Sequence, residues 1–323
     1  MENNIISVII VVVKRDKKYL KNCLISLEKS AYIANISLEI IIVANGTKLK
    51  KLSYLSSTYK ILSNRQNLGF GNAVNKGMNQ TNNKWCIILA PDTRIKLTTI
   101  QSLWRHTVDK KLAIIGPKIH YSDGKLDYSI LPYTNLWTIF KEQFYLYKLF
   151  PSIFTSPFSN NILYEKTHEV DALASTFWMV KKNYFINVGG FDERFFLFHD
   201  DLDLCRRIRS SRYKIIFEPK ASITHLGHKS VSNQIGGKLL ADSYYIYLSK
   251  YYNTLYIFIC IIILFIGSLF RFTYWFLLAK IYSYGKYKSE NKVVFHLSFL
   301  VQCLFLLKRI VYSYRPYPVS AHL

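Results

Sequence analysis

Residues 5–13 read IISVIIVVV, a short β-branched run with no polar alternation. That is the pattern of a strand buried on both faces. Working outward, Lys17–Lys29 carries Leu20, Cys23, Leu24 and Leu27 on one helical stripe. Residues 38–43 (LEIIIV) predict a second buried strand, ending at the turn pair Asn45-Gly46. Residues 59–62 predict a short third strand, 72–80 a helix, and 84–89 (KWCIIL) a fourth strand stopped by Ala90-Pro91-Asp92. Strands alternating with helices at this spacing imply an α/β fold with right-handed βαβ units and a mostly parallel central sheet. Ligands of such sheets bind at the carboxyl ends of the strands, which puts Asn45 and Asp92 on the ligand side.

Further along, residues 131–165 break the rhythm with prolines and aromatics, and an amphipathic helix is expected over 135–150, either an ordinary surface helix or an interfacial lid on the acceptor side. Strand character returns over 170–180, a helix is expected over 201–211, and strands over 213–217 and 221–224. The composition shifts near residue 237, dividing the chain into a catalytic α/β domain (1–236) and a C-terminal hydrophobic helical region (237–323) expected to be membrane-associated. Between Lys250 and Arg271 lie twenty uncharged residues, enough helix for about 30 Å, the thickness of a bilayer core. A second uncharged stretch, 293–307, contains His296 and Gln302 and is expected to span poorly. If both crossed, the intervening Arg271, Lys280, Lys286, Lys288 and Lys292 would lie outside, against the positive-inside bias. In-plane or re-entrant association is therefore the favoured expectation over one true span or a soluble helical appendage, with anionic headgroups meeting the basic residues.

The chain has 323 residues, 43 Lys+Arg against 20 Asp+Glu and a formal net charge of +23. Half of it is hydrophobic and 16% aromatic, which excludes a disordered protein. The positive balance fits an anionic membrane surface or a phosphorylated substrate. No basic stripe interleaved with base-stacking aromatics points to nucleic acid. Five scattered cysteines without a C-x-x-C pair argue against a disulfide framework or structural zinc and for reduced thiols. The first apolar run is short and meets Lys14-Arg15 at once, so a cytosolic start is expected rather than a secretory signal.

Four segments could carry chemistry. The first, Asn67-Leu-Gly-Phe-Gly-Asn-Ala-Val-Asn-Lys-Gly77, lacks the third glycine of a dinucleotide fingerprint and follows the third strand. It reads either as a glycine turn into a helix or as backbone approaching a nucleotide phosphate at a helix N-terminus. The second, Ala90-Pro91-Asp92-Thr93, puts a carboxylate where it could hold a divalent metal on phosphate oxygens, though Pro-Asp-Thr is also a common turn. The third, Val188 to Arg207, concentrates Asp192, Glu193, Asp200, Asp201 and Asp203 beside the aromatic run 195–198. Adjacent carboxylates against a low-dielectric wall suit a general base; helix capping and pairing of Asp203 with Arg206 or Arg207 account for only some of them. The fourth, residues 224–230, offers His225 as a metal ligand or as an ordinary polar residue.

Taken in order, these segments resemble the family 2 glycosyltransferases, especially the bacterial rhamnosyltransferase-like branch that builds O-antigen and capsular glycans. The matching pieces are Ser7-Val-Ile-Ile10, Cys23-Leu24 with Ser26-Leu27, Asn45-Gly46-Thr47, Asn67 to Gly77, and Pro91-Asp92-Thr93. Val170-Asp171, Val188 to Glu193, Phe195-Phe196 with Asp200-Asp201-Leu-Asp203-Leu-Cys205, and His225-Leu-Gly complete the series over residues 5–230. The resemblance implies a GT-A fold, inversion at the anomeric carbon, a dTDP- or UDP-sugar donor and a polyprenyl-diphosphate-linked glycan acceptor at the cytoplasmic face of the membrane. It makes Asp201, with Asp200 beside it, the catalytic pair. It puts Asn45, Asn67, Gly69, Gly71, Asn75 and Asp92 at the nucleotide sugar, and Asp92 and His225 on Mg²⁺ or Mn²⁺. Val13-Lys14, Ala44-Asn45 and Ala90 depart from the family's usual Tyr-Asn, Asp-Asn and Asn, and all three lie on the donor side. They motivate an alternative expectation, a donor-deficient homologue serving as a scaffold subunit of a glycan assembly complex.

Overall fold

The computed structural model describes residues 4–154, 161–227, 232–281 and 286–312. In chain order the elements are β1 (Ile5–Val12), α1 (Lys17–Ile33), β2 (Ser37–Asn45), β3 (Thr58–Asn64), α2 (Phe70–Met78), β4 (Trp85–Leu89), β5 (Thr93–Ile95), α3 (Thr99–Trp104), β6 (Leu112–Tyr121), β7 (Leu126–Asp127), β8 (Ile130–Leu131), α4 (Leu136–Gln143) and α5 (Leu146–Leu149). There follow β9 (His168–Glu169), β10 (Ala172–Leu173), β11 (Phe177–Lys181), α6 (Lys182–Asn187), α7 (Asp200–Ser210), β12 (Lys214–His225), α8 (Asn233–Tyr251), α9 (Thr254–Ile281) and α10 (Lys286–Tyr312).

The main sheet runs β3-β2-β1-β4-β11-β6-β12-β5, with β7 beside β6 and β9 beside β12. Pairs β1–β2, β2–β3, β1–β4 and β6–β12 are parallel; β11 enters antiparallel between β4 and β6. The apolar runs that predicted doubly covered strands are buried over residues 6–12, 40–43 and 85–89, and the α1 stripe of Leu20, Cys23, Leu24 and Leu27 packs on one face. All five cysteines are buried and unpaired.

Three expectations change in detail. The strand expected over 170–180 is broken: β10 pairs with β8, and residues 174–176 leave the sheet before β11 begins. There the backbone bonds sideways, Ala174 N–H to Ser129 O and Thr176 O accepting from Ala90 N–H. The helix expected over 135–150 splits into α4 and α5 because Tyr145 adopts a left-handed backbone (φ 54°). The two strands expected over 213–224 are one, β12, with a register irregularity between Glu218 and Ser222, around Pro219.

The C-terminal helices are longer than the uncharged stretches suggested. Residues 254–280 and 290–311 are each long and apolar enough to cross a bilayer by length and composition. The expectation that the second stretch spans poorly therefore fails on length, because the helix continues on both sides of the uncharged run. The expected division at residue 236 falls inside α8, whose Ile246 and Tyr247 belong to the core of the α/β layer.

Candidate active site

The carboxyl ends of the central strands, the β5–β12 ladder and the N-terminus of α7 bring the predicted site residues into one region. β5 pairs antiparallel with β12 so that Thr93 lies opposite His225, and Leu226 N–H donates to the Asp92 carbonyl. Asp92 and His225, 133 positions apart in the sequence, thus become neighbours: His225 Nε2 lies 3.5 Å from Asp92 Oδ2. The other ring nitrogen, Nδ1, lies 3.1 Å from Asp127 Oδ2 on β7. Burial pulls the imidazole down, but its bonds to Asp127 and Asp92 outweigh this and raise His225 to about 9.

This pair fits the edge of a divalent-cation site. Neighbouring ligands on one cation at about 2.1 Å sit roughly 3 Å apart, close to the Nε2–Oδ2 spacing seen here. With a cation in place of the Nε2 proton, Asp127 accepting from Nδ1–H would form the carboxylate–histidine arrangement that holds the ring toward the metal. Among the described residues no three His, Cys, Asp or Glu side chains form a ready-made cage. The remaining coordination would fall to substrate oxygens and water, as is usual for Mg²⁺.

Asp200 and Asp201 open α7. Thr176 is joined to Ala90, two residues before Asp92, and Ser175 N–H donates to Asp201 Oδ2 at 3.3 Å. The broken strand 174–176 is therefore the bridge between the metal side and the carboxylate pair. Asp201 Oδ1 also accepts from Leu202 N–H at 2.8 Å. Burial raises both carboxyls above the ordinary carboxylate range; the charge of Asp201 raises Asp200 further, while the two N–H groups draw Asp201 back. Asp200 is 4% exposed and its Oδ2 has no hydrogen-bond partner. Neither residue is the side-chain cap of α7, whose N-cap position is His199. Asp203 behaves as the bland reading expected, chelated by Arg207 at 2.7 and 2.9 Å and bonded to Lys250 and Tyr251. Arg206 instead hydrogen-bonds the Tyr247 hydroxyl and stacks 3.8 Å above Tyr251.

The glycine segment is bonded extensively within the protein. Asn45 is buried, and its amide donates to Asn67 Oδ1 and Gly69 O and accepts from Asn64 Nδ2 and Leu68 N–H. Asn75 clamps Phe191 through both its backbone groups and reaches Glu193. Gly69 (φ 87°) lies where a Cβ would stand 2.6 Å from the Phe196 carbonyl, and Gly71 packs against the Phe191 ring system. Phe70 N–H, at the start of α2, donates to Phe196 O. Asn45 thus ties the loop to the end of β3, Gly69, Gly71 and Asn75 fasten it to the 190–196 segment, and the Phe70 N–H at the helix start is already bonded. Of the other two residues expected on the donor side, Asp92 faces His225, and Asn67 accepts from Asn45 and Gly69 at the loop's edge.

Sequence reasoning missed Asp127, Ser175 and His199. Asp127 sits in a two-residue strand with no local motif, and Ser175 acts through its backbone. His199 follows the aromatic run 195–198 and carries no motif of its own. From the fourth segment, His225 is in place, while residues 228–230 lie outside the described residues.

Comparison with known proteins agrees with this geometry. The family model for glycosyl transferase family 2 matches residues 7–187. An N-acetylglucosaminyl-diphospho-decaprenol L-rhamnosyltransferase of Mycobacterium tuberculosis is 25% identical over 210 residues, 59% of this chain. The chain spans 66% of that relative's length. Among solved structures, the mannosyltransferase PcManGT of Pyrobaculum calidifontis, in complex with GDP-Man and Mn²⁺, superposes with a TM-score of 0.53 at 10% identity, covering 97% of this chain and 88% of that one. GalNAc-T7 with UDP, GalNAc and Mn²⁺ gives 0.50 at 15% identity, covering 76% and 50%. These likenesses establish a GT-A-like fold. With an Asp–His edge at the strand ends, a buried carboxylate pair opening the helix after the sheet, and a family match over more than half its length, the chain belongs to glycosyl transferase family 2.

Proposed function

We propose that the chain is a membrane-associated, metal-dependent inverting glycosyltransferase. It takes a sugar, rhamnose first among the candidates, from a dTDP- or UDP-activated donor to a polyprenyl-diphosphate-linked glycan. The observation that carries this reading is the pairing of Asp92 with His225 on one side of residues 174–176 and Asp201 on the other. The rhamnosyl specificity and the lipid-linked acceptor come from the mycobacterial relative, whose name states both.

Asp92 and His225 would hold the cation, with Asp127 orienting the imidazole. When bound, the cation neutralises the departing nucleoside diphosphate. Asp201 accepts the proton of the acceptor hydroxyl as its oxygen bonds to the anomeric carbon, and the bond from that carbon to the diphosphate oxygen breaks on the opposite face. The raised carboxyl range of Asp201 suits a base that works near neutrality. The apolar walls at Phe195 and Leu202 exclude water and strengthen the fixed charges around the developing oxocarbenium ion.

Membrane association rests on α9 and α10, and the contacts of α9 favour lying in the plane over crossing. Arg271, eighteen residues into α9, donates to the carbonyls of Glu142 and Gln143 at the end of α4 and stacks 4.1 Å over Tyr145. Gly267 lies against the Gln143 side chain, and Leu136 N–H bonds Tyr256 at the other end. A helix fastened along this length to α4 would carry α4 into the bilayer with it. Trp137, Leu149 and Ile153 on that segment are 53%, 63% and 71% exposed, which suits an interface at the cytoplasmic face. Incubating the full chain with membranes and a panel of nucleotide sugars, with and without chelator, tests the reading. Chelator-sensitive sugar transfer to lipid extractable into organic solvent is expected. Acceptor binding with no transfer from any donor would favour the scaffold alternative instead.

A further inference from the structure

The turn that delivers the base is held in an unfavourable backbone. Phe198 and His199 both have positive φ (68° and 57°), two consecutive non-glycine residues in the left-handed region immediately before Asp200-Asp201. Such a residue is strained and persists only where its surroundings over-determine it. What determines it here is the imidazole of His199. Its Nδ1 lies 2.9 Å from Ser243 Oγ on α8, and its Nε2 lies 3.2 Å from Thr134 Oγ1, just before α4. The Ser243 hydroxyl proton goes to the Leu240 carbonyl at 2.8 Å. Ser243 Oγ must then accept from Nδ1–H, and Nε2 accepts from the Thr134 hydroxyl. The ring is packed between Tyr244 (4.4 Å) and Tyr247 (5.6 Å), and burial holds it neutral. The His199 carbonyl meanwhile accepts from Asp203 N–H, the first bond of α7.

We propose that His199 is a positioning residue for Asp201, clasping the base-bearing turn to Ser243 and Thr134 so that α8 is part of the catalytic apparatus rather than only the stem of the apolar helices. This rests on the reading of Asp201 as the base. A second tie from the same helix runs through Lys250, bonded to Asp192 and Asp203, and Tyr251, bonded to Asp203. α8 thus grips the acidic segment on both sides of the carboxylate pair. In consequence, disturbance of the C-terminal helices reaches the base-bearing turn, most directly through the His199 imidazole.

The test uses Ser243→Ala and Thr134→Val in the full chain, each removing one partner of the ring and neither touching substrate. Misplacing a reacting group by about 1 Å costs up to 10²-fold, so a kcat loss of about tenfold is expected for each variant. Donor KM and calorimetric donor affinity stay unchanged, and circular dichroism and melting show that the variants fold. Asp201→Asn is measured alongside, alone and combined with Ser243→Ala. If Asp201→Asn keeps only a residual rate and Ser243→Ala lowers that rate no further, the loss passes through the base. Wild-type kcat in both clasp variants, with Asp201→Asn inactive, overturns the clasp and leaves the base assignment standing. Near-normal turnover of Asp201→Asn overturns the base assignment itself.

Discussion

The glycine segment after β3 and the acidic segment before α7 are equally dense in motif residues, and they do opposite things. In the first, Asn45, Asn75 and the Phe70 N–H are all bonded within the protein, and the glycines admit close backbone packing. In the second, a buried Asp200 oxygen is left unpartnered and Asp201 is raised by burial, arrangements that oppose stability. A scaffold satisfies its polar groups internally; a reacting site leaves some of them for a substrate. The two segments touch, since Gly69, Gly71 and Asn75 pack on residues 191–196, so the scaffold supports the site from behind.

The sharpest break between the two regions is Asp201→Asn. Loss of a general base should lower kcat by roughly 10²–10⁴-fold, measured as sugar transfer, while calorimetric donor binding is retained. Next comes Asp127→Asn, which leaves both proposed ligands in place but frees the His225 ring. Mutation of such an orienting carboxylate costs about 10–100-fold in metal affinity, read directly by Mn²⁺ titration. On the scaffold side, Gly69→Ala should act on stability and not on chemistry. With φ at 87° and Phe196 O 2.6 Å from the new Cβ, a loss of about 1–3 kcal/mol is expected in denaturant unfolding. An unchanged midpoint would mean that the loop is not fastened as described.

The last contrast concerns pH. Burial depresses His199 to about 3 in the folded chain, against about 6.5 when unfolded. Between these values the unfolded state binds the extra proton, so this contribution is complete above about 6.5 and is lost as pH falls toward about 3. The melting-temperature advantage of wild type over His199→Asn should therefore shrink on acidification through that window.

How much of this was legible in the sequence follows from which interactions are local. The buried strands, the α1 stripe and the helix at Asp200 follow from periodicity, which depends on neighbours in the chain. The closeness of Asp92 and His225 could not be read from spacing; it entered through family resemblance and is produced by the β5–β12 register. Asp127 and His199 were missed because their meaning lies wholly in partners about 100 and 44 residues away in the sequence, His225 and Ser243. The internal bonding of Asn45 and Asn75 was equally invisible in the sequence. An Asn beside a glycine turn looks available until its partners, Leu68 and Phe191, are seen.

The central claim is that Asp92 and His225 share one cation that holds the donor's diphosphate. Calorimetric titration of the full chain with dTDP and UDP, with Mn²⁺ and with chelator, in wild type and Asp92→Asn, tests it most directly. Binding of at least one nucleotide that needs Mn²⁺ and disappears in Asp92→Asn is the predicted result. Equal binding under chelation, or Mn²⁺-dependent binding undiminished in Asp92→Asn, would contradict it.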